Sequence, residues 1–166
     1  NEKRTEGSVR EGRGAPGPWR SAVDWIDEQS QLHGERIALS DASVDVTYAQ
    51  LRSRTRALAE RLRAHGLRRG DVVALVLDRG PSFIELVLAV WRVGAAYLPL
   101  APAHPPSWRQ DIIQRAGARL VAGRSRDSAV PGLPFLDLAE ASPAVAPGPE
   151  EVVLAPEDLA YIICTS

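Results

Sequence analysis

The side chains able to do chemistry in this sequence are few and scattered. His33, His65 and His104 fall near predicted helix ends or in proline-rich turns. None has a flanking motif that would orient it as a general base, so all three read as surface or capping residues. No two of them have a spacing suited to a metal ion, and no metal site or catalytic residue is expected. Cys164 lies in an apolar run, where a small core role is expected rather than a reactive thiol. As the only cysteine, it rules out an intramolecular disulfide and a four-cysteine zinc site. Of the 20 basic residues 19 are arginines, and the one lysine, Lys3, sits in a polar tail. An ordered ammonium group, as a Schiff base or a lysine clamp on phosphate requires, is therefore not expected from this chain alone.

Hydroxyls remain. Thr165 and Ser166 follow the apolar run Leu159-Ala160-Tyr161-Ile162-Ile163-Cys164, and two hydroxyls at the end of a strand can donate to phosphate. They are not a complete phosphate loop: the sequence contains no GxGxxG and no GxxxxGK[ST], so a Rossmann dinucleotide site is not expected. Five arginines, Arg52, Arg54, Arg56, Arg61 and Arg63, share one predicted helix. They could grip phosphate, but a solvated helix face is the expected reading. Trp25, Trp91 and Trp108 could form a stacking platform, although core or rim packing suits their positions better. The acidic pairs Asp24/Glu28 and Glu150/Glu151 read as helix-surface and linker charges.

The elements that would position these groups alternate strand and helix. Residues 1–18 carry charge and glycine without periodic apolar positions, and a disordered linker is expected there. From Trp19, the residues Trp19, Val23, Ile26 and Leu32 mark a short amphipathic helix. Residues 36–41 and 44–46 read as a hairpin. Thr47 with Gln50 forms a capping box for a helix carrying Tyr48, Leu51, Thr55, Leu58 and Leu62, which Gly66 ends. Val72 to Leu77 is an unbroken apolar strand of the kind covered on both faces of a parallel sheet. Pro81 opens a helix that buries Phe83, Ile84, Val87, Leu88 and Trp91 and stops at Gly94. Ala95 to Leu100 forms the next strand, completing a βαβ unit. A proline-rich corner then leads to a helix with Trp108, Ile112, Ile113 and Ala116, the strand at 119–121, a short edge strand at 134–138, and the apolar strand at 159–164. The fold class is α/β: a partial doubly wound, mostly parallel sheet flanked by helices. In such sheets ligands bind at the carboxyl ends of the strands.

Composition bounds the partners. The 166 residues are 45% apolar and 25% charged, with a net charge of −1. No global positive field exists for nucleic acid, no apolar run approaches the roughly 18 residues of a membrane span, and the first 18 residues lack a signal-peptide core. A cytoplasmic location is expected. Position 1 is Asn and Met is absent, so an upstream segment is expected to have been removed.

Three ordered segments carry a resemblance. Val46-Thr47-Tyr48-Ala49-Gln50-Leu51 is similar to an LTYxEL segment, Val90-Trp91-Arg92-Val93-Gly94-Ala95-Ala96-Tyr97-Leu98-Pro99-Leu100 to LKAGxAYLPL, and Leu159 to Ser166 to the opening of the phosphate loop YIIYTSGSTGxPKG. From about Trp19 to Ser166 the chain resembles the amino-terminal part of adenylation domains of nonribosomal peptide synthetases, within the acyl-adenylate-forming superfamily. The AYLPL form points to amino-acid activation rather than fatty-acyl ligation. One departure is Ala101, where the family has an aspartate that stabilises the following turn.

The resemblance implies a two-step reaction. An amino-acid carboxylate attacks the α-phosphate of ATP in the presence of Mg²⁺, pyrophosphate leaves, and the aminoacyl adenylate passes to a phosphopantetheine thiol. Of the family's functional motifs only Thr165 and Ser166 map here, as ATP-binding residues. The glycines and lysine of the loop, the ribose-binding aspartate, the selectivity pocket and the mobile lid all follow in the family. Residues 19–166 are therefore expected to be a truncated front portion that is inactive alone and binds neither ATP nor Mg²⁺ tightly. Its expected partners are the remainder of the adenylation domain and flanking carrier and condensation domains, with an amino acid as substrate of the complete enzyme. The alternative is a non-catalytic scaffold or split-domain module pairing with another chain.

Overall fold

The computed structural model describes residues 19–140 and 152–164. The expected linker at 1–18 lies outside them.

The strongest local signals decide the elements. A helix, α1 (Ala22–His33), starts from a capping box in which Ser21 and Asp24 satisfy each other's backbone N–H groups. Trp19 therefore precedes the helix and is half exposed rather than on its apolar stripe, and Leu32 is exposed as well. An antiparallel hairpin, β1 (Ile37–Ser40) and β2 (Asp45–Thr47), follows. Its turn is held by Asp41, whose Oδ1 accepts from the Ser43 and Val44 amides at 2.8 and 2.9 Å. Thr47 then caps α2 (Tyr48–Ala64) through the predicted box with Gln50.

The second part is a four-stranded, wholly parallel sheet in the order β4-β3-β5-β6. Its strands are β3 (Val72–Val76), β4 (Ala96–Leu100), β5 (Leu120–Gly123) and β6 (Phe135–Asp137), the last at the edge as the sequence predicts. Between β3 and β4 runs α3 (Pro81–Val93), and between β4 and β5 runs α4 (Pro106–Arg115). Pro81 occupies the first turn of α3, where its missing N–H costs nothing, and Gly94 ends that helix at φ +77°, a conformation open to glycine.

Every residue of β3 is buried. Val73, Leu75 and the following Leu77 meet α2 and α3 on one face, through Leu62, Leu86 and Val90. Val72, Ala74 and Val76 meet α4 on the other, through Ile113. The period-2 alternation of side chains thus places the helices of successive connections on opposite faces. The hairpin seals a third cluster of Val46, Leu51 and Leu88. No described helix is long and apolar enough to cross a membrane.

Candidate functional site at the carboxyl edge of the sheet

The run predicted as a buried strand at 159–164 is only partly one. It approaches along the outer side of β4 and forms a single parallel bridge, Tyr161 opposite Tyr97. The Tyr97 amide donates to Ala160 O at 3.2 Å and the Ile162 amide to Tyr97 O at 2.9 Å. With β4 on one side and no described strand on the other, Leu159, Tyr161 and Ile163 remain exposed. Cys164 is likewise exposed, which corrects its expected core role.

Three contacts from distant positions fix this run. Trp91 Nε1 on α3 donates to Ala160 O at 3.0 Å. The Arg69 guanidinium meets both Asp158 oxygens at 2.9 Å, and Asp158 Oδ2 also accepts the Ala155 amide at 2.8 Å. The Ala155 amide, then Arg69, hold the Asp158 carboxyl below the ordinary carboxylate range. The aromatic rings of Tyr97 and Tyr161 lie 5.8 Å apart, with Trp91 at 5.9 Å and Phe83 at 6.1 Å from Tyr97. Burial, then the neighbouring Tyr161, push the Tyr97 phenol up. Ile162 packs on the α4 face of the sheet.

The bridge sets direction and level. Cys164 is three residues past Tyr161, as Leu100 at the end of β4 is three past Tyr97, so the run reaches the carboxyl edge at the height where β4 ends. That is the edge where ligands of parallel sheets bind. Thr165 and Ser166, the predicted phosphate contacts, lie outside the described residues. By contrast, two cavities of about 390 and 320 Å³ sit at the opposite, amino edge. One is lined by Leu67, Ala118, Arg119 and Pro134 ahead of β3, β5 and β6, and the other by Trp19, Gly94 and Ala95 ahead of β4.

The remaining candidates resolve in place. His33 closes α1, His65 Nδ1 lies 2.9 Å from Arg61 O, and the His104 ring lies tilted against that of Trp108 with centroids 4.5 Å apart, all surface or capping roles. Among the described residues no three His, Cys, Asp or Glu side chains gather as a metal site would require. Trp25, with Arg20 over its ring, and Trp108, beside His104, are exposed and lie at the rim rather than in the core, whereas Trp91 is half-buried. Ala101 leaves the corner intact because its carbonyl accepts the His104 amide at 3.2 Å.

The arginine stripe is neither a phosphate grip nor a solvated face. Arg52 and Arg56 reach Asp27 on α1 at 3.4 and 3.5 Å, and Arg54 reaches Glu85 on α3 at 2.9 Å. Arg61 donates to Asp137 O at 2.6 Å, and Arg63 to Arg92 O at 2.8 Å and to Glu60. These arginines stitch α2 to its neighbours. Spacing on one helix could not show this, because the acceptors come from α1, α3 and β6.

Comparison with known proteins places this geometry. Residues 26–166 match the AMP-binding enzyme family. The chain belongs to the AMP-binding enzyme family. It is 36% identical, over 96% of its length, to phenyloxazoline synthase MbtB of Mycolicibacterium paratuberculosis. To the isonitrile lipopeptide synthase of Streptomyces coeruleorubidus it is 38% identical over 95% of its length. The chain spans 14% and 11% of those proteins. Among solved structures it superposes on the N-terminal subdomain of Klebsiella oxytoca NpsA, in complex with 3-hydroxyanthranilyl-AMSN, with TM-score 0.77 and 28% identity, covering 89% of this chain and 38% of that one. The nonribosomal peptide synthetase FmoA3 in its AMPPNP-bound form gives TM-score 0.82 at 27% identity, over 92% of this chain and 17% of FmoA3. The chain therefore corresponds to the amino-terminal part of an adenylation domain of the nonribosomal peptide synthetase type.

Proposed function

We propose that this chain is the front portion of an amino-acid-activating adenylation domain, with Thr165 and Ser166 donating hydroxyl hydrogen bonds to the phosphates of ATP. The observation that carries this reading is the run from Asp158 to Cys164, pinned beside β4 and aimed at the carboxyl edge. In the complete domain an amino-acid carboxylate attacks the α-phosphate, pyrophosphate leaves, and the adenylate is transferred to a phosphopantetheine thiol on a carrier domain. Such chemistry rests on donors and cations converging on the phosphates. No three His, Cys, Asp or Glu side chains gather among the described residues, and no step is assigned to a metal.

What this chain contributes is position. Trp91, Arg69 and Tyr97 order the segment that precedes the two hydroxyls, so that the hydroxyl-bearing residues follow from a fixed anchor. Two hydroxyls cannot balance the charge of a triphosphate, so the 166 residues alone are inactive and need the remainder of the domain. The test is amino-acid-dependent exchange of pyrophosphate into ATP. No exchange is expected from residues 1–166 with any amino acid, and exchange is expected once the chain is joined to the rest of an adenylation domain. Exchange by the 166 residues alone would overturn the proposal, as would failure of the joined, folded domain.

A further inference from the structure

The cavity of about 390 Å³ at the amino edge of the sheet combines an apolar floor with a basic rim. On the floor, Leu67 and Ala118 are buried and Leu133 is half-buried. The ionisable side chains of the lining are His65 and Arg119, both exposed, and no acidic side chain joins them. Small-molecule sites span about 300–1,000 Å³ and set a few polar groups against an apolar wall.

The backbone does not offset the basic rim. Helices α2 and α4 both end beside the cavity, where free terminal carbonyls would favour a cation. Those carbonyls are already taken. Leu62 O and Arg63 O accept the Leu67 and Gly66 amides at 3.2 and 2.8 Å, and Ile113 O and Gln114 O accept the Ala118 and Gly117 amides at 3.1 and 3.0 Å. His65 is tied through Nδ1 to Arg61 O at 2.9 Å. Arg119 is fixed through its backbone, whose amide donates to Val72 O at 2.9 Å, while its side chain stays 70% exposed. Asp71 meets that guanidinium through Nε at 3.5 Å, and its other oxygen accepts the Arg68 amide at 2.7 Å. This loose contact through Nε leaves Nη1 and Nη2 for a further acceptor. Gly66 and Gly132 on the lining, both at φ +84°, have no atom within 4 Å of the place a Cβ would take, so the cavity stays open beside them.

We infer that this cavity binds a small organic carboxylate with an apolar body, its oxygens on the terminal nitrogens of Arg119 and its carbon frame against Leu67, Ala118 and Leu133. A planar guanidinium receives a carboxylate through two parallel hydrogen bonds. Inorganic phosphate suits the cavity less well, because an apolar floor strips hydration from its remaining oxygens and returns no hydrogen bond. The inference does not rest on the adenylation reading, since it concerns the opposite edge of the sheet and its readout is binding rather than turnover.

The experiment titrates the 166-residue chain with benzoate, a carboxylate on a flat apolar body, and with benzamide as its uncharged isostere, at matched ionic strength. Calorimetry should give one saturable site with Kd at or below about 1 mM, and Tm should rise by about 3–6 °C at tenfold excess over Kd. Benzamide and inorganic phosphate should each bind about tenfold more weakly or worse. Amide shifts in nuclear magnetic resonance should cluster at Gly66, Leu67, Ala118 and Gly132. Arg119→Gln should weaken benzoate binding about tenfold or more and Arg119→Lys by less. Arg115→Gln, which removes an exposed arginine of α4 outside the cavity, should leave it unchanged. Should Arg119→Gln fail to fold, Arg119→Lys carries the comparison, with several-fold weaker binding expected. The inference is overturned by the absence of saturable benzoate binding, by equal affinity for benzamide, by shifts centred on Trp19 and Leu159 instead, or by an affinity that substitution of Arg119 leaves unchanged.

Discussion

Asp27 is the residue whose removal should cost this fold most for its size. Its carboxylate receives Arg92 through both terminal nitrogens, one at 3.1 Å, and has Arg52 and Arg56 at 3.4 and 3.5 Å. The Arg92 side chain is 3% exposed and that of Asp27 16%. Asp27→Asn keeps the volume and deletes the charge, leaving Arg92 buried against two other cations. Breaking a buried pair from one side costs about 3–5 kcal/mol, because the surviving charge is uncompensated. Asp27 retains some solvent and Thr55 still accepts from Arg92, which places the expected loss near the lower end, about 3 kcal/mol. For a chain of this size that is roughly 6–12 °C in Tm. Replacing both partners with apolar residues, Asp27→Leu with Arg92→Met, should recover most of the loss, since hydrophobic replacement of a buried pair is often neutral.

The same pair predicts a pH dependence. Burial alone would raise the Asp27 carboxyl, but the Arg92 hydrogen bond and the charges of Arg92, Arg56 and Arg52 outweigh it and hold the group below its ordinary 3.8. A carboxyl depressed in the folded state contributes stability that is fully present above its unfolded value and is lost as pH falls through its folded value. The difference between wild type and Asp27→Asn should therefore be constant at neutral pH and shrink below about pH 4. Urea unfolding followed by tryptophan fluorescence at pH 7 and pH 3 reads both effects. A loss under 1 kcal/mol at pH 7, or a difference that does not narrow in acid, would refute the buried-pair account.

Other outcomes follow from the same contacts. Gly94→Ala requires a side chain at φ +77° and a Cβ 2.9 Å from Arg69 Cγ and 3.0 Å from Val152 Cγ1, so it should lower stability by about 1–3 kcal/mol in denaturant titration. Trp91→Phe removes the hydrogen bond to Ala160 O; a loss of about 1 kcal/mol should appear as roughly fivefold faster amide exchange at Ile162. In ultraviolet titration one phenol should ionise above the ordinary tyrosine value of 10, because burial and Tyr161 raise Tyr97, and Tyr97→Phe should abolish that late step. Gly123→Ala places a Cβ 3.0 Å from the backbone oxygen of Val76, which cannot swing aside, and about 1–3 kcal/mol of stability should be lost.

Short-range and long-range interactions left different traces in this sequence. Local signals were legible from residue types: the Thr47–Gln50 box, Pro81 and Gly94 bounding α3, and the unbroken apolar β3 each specify an element through dihedral preference, capping or periodicity within a few residues. The order of segments also carried the family, because Val46–Leu51, Val90–Leu100 and Leu159–Ser166 keep recognisable wording. What those signals cannot encode is which distant groups meet. The arginines of α2 look alike on a helical wheel, yet their acceptors lie on three other elements. Arg69 and Asp158 are 89 positions apart, and nothing near either one announces the pair. Cys164 shows the converse: apolar wording predicts burial, but burial needs a neighbour on each side, and the described residues supply β4 on one side alone. Element type and family were thus fixed by short-range preference and by motif. The placement of charge and the exposure of the last run were decided by packing, which brings together groups that the chain keeps far apart.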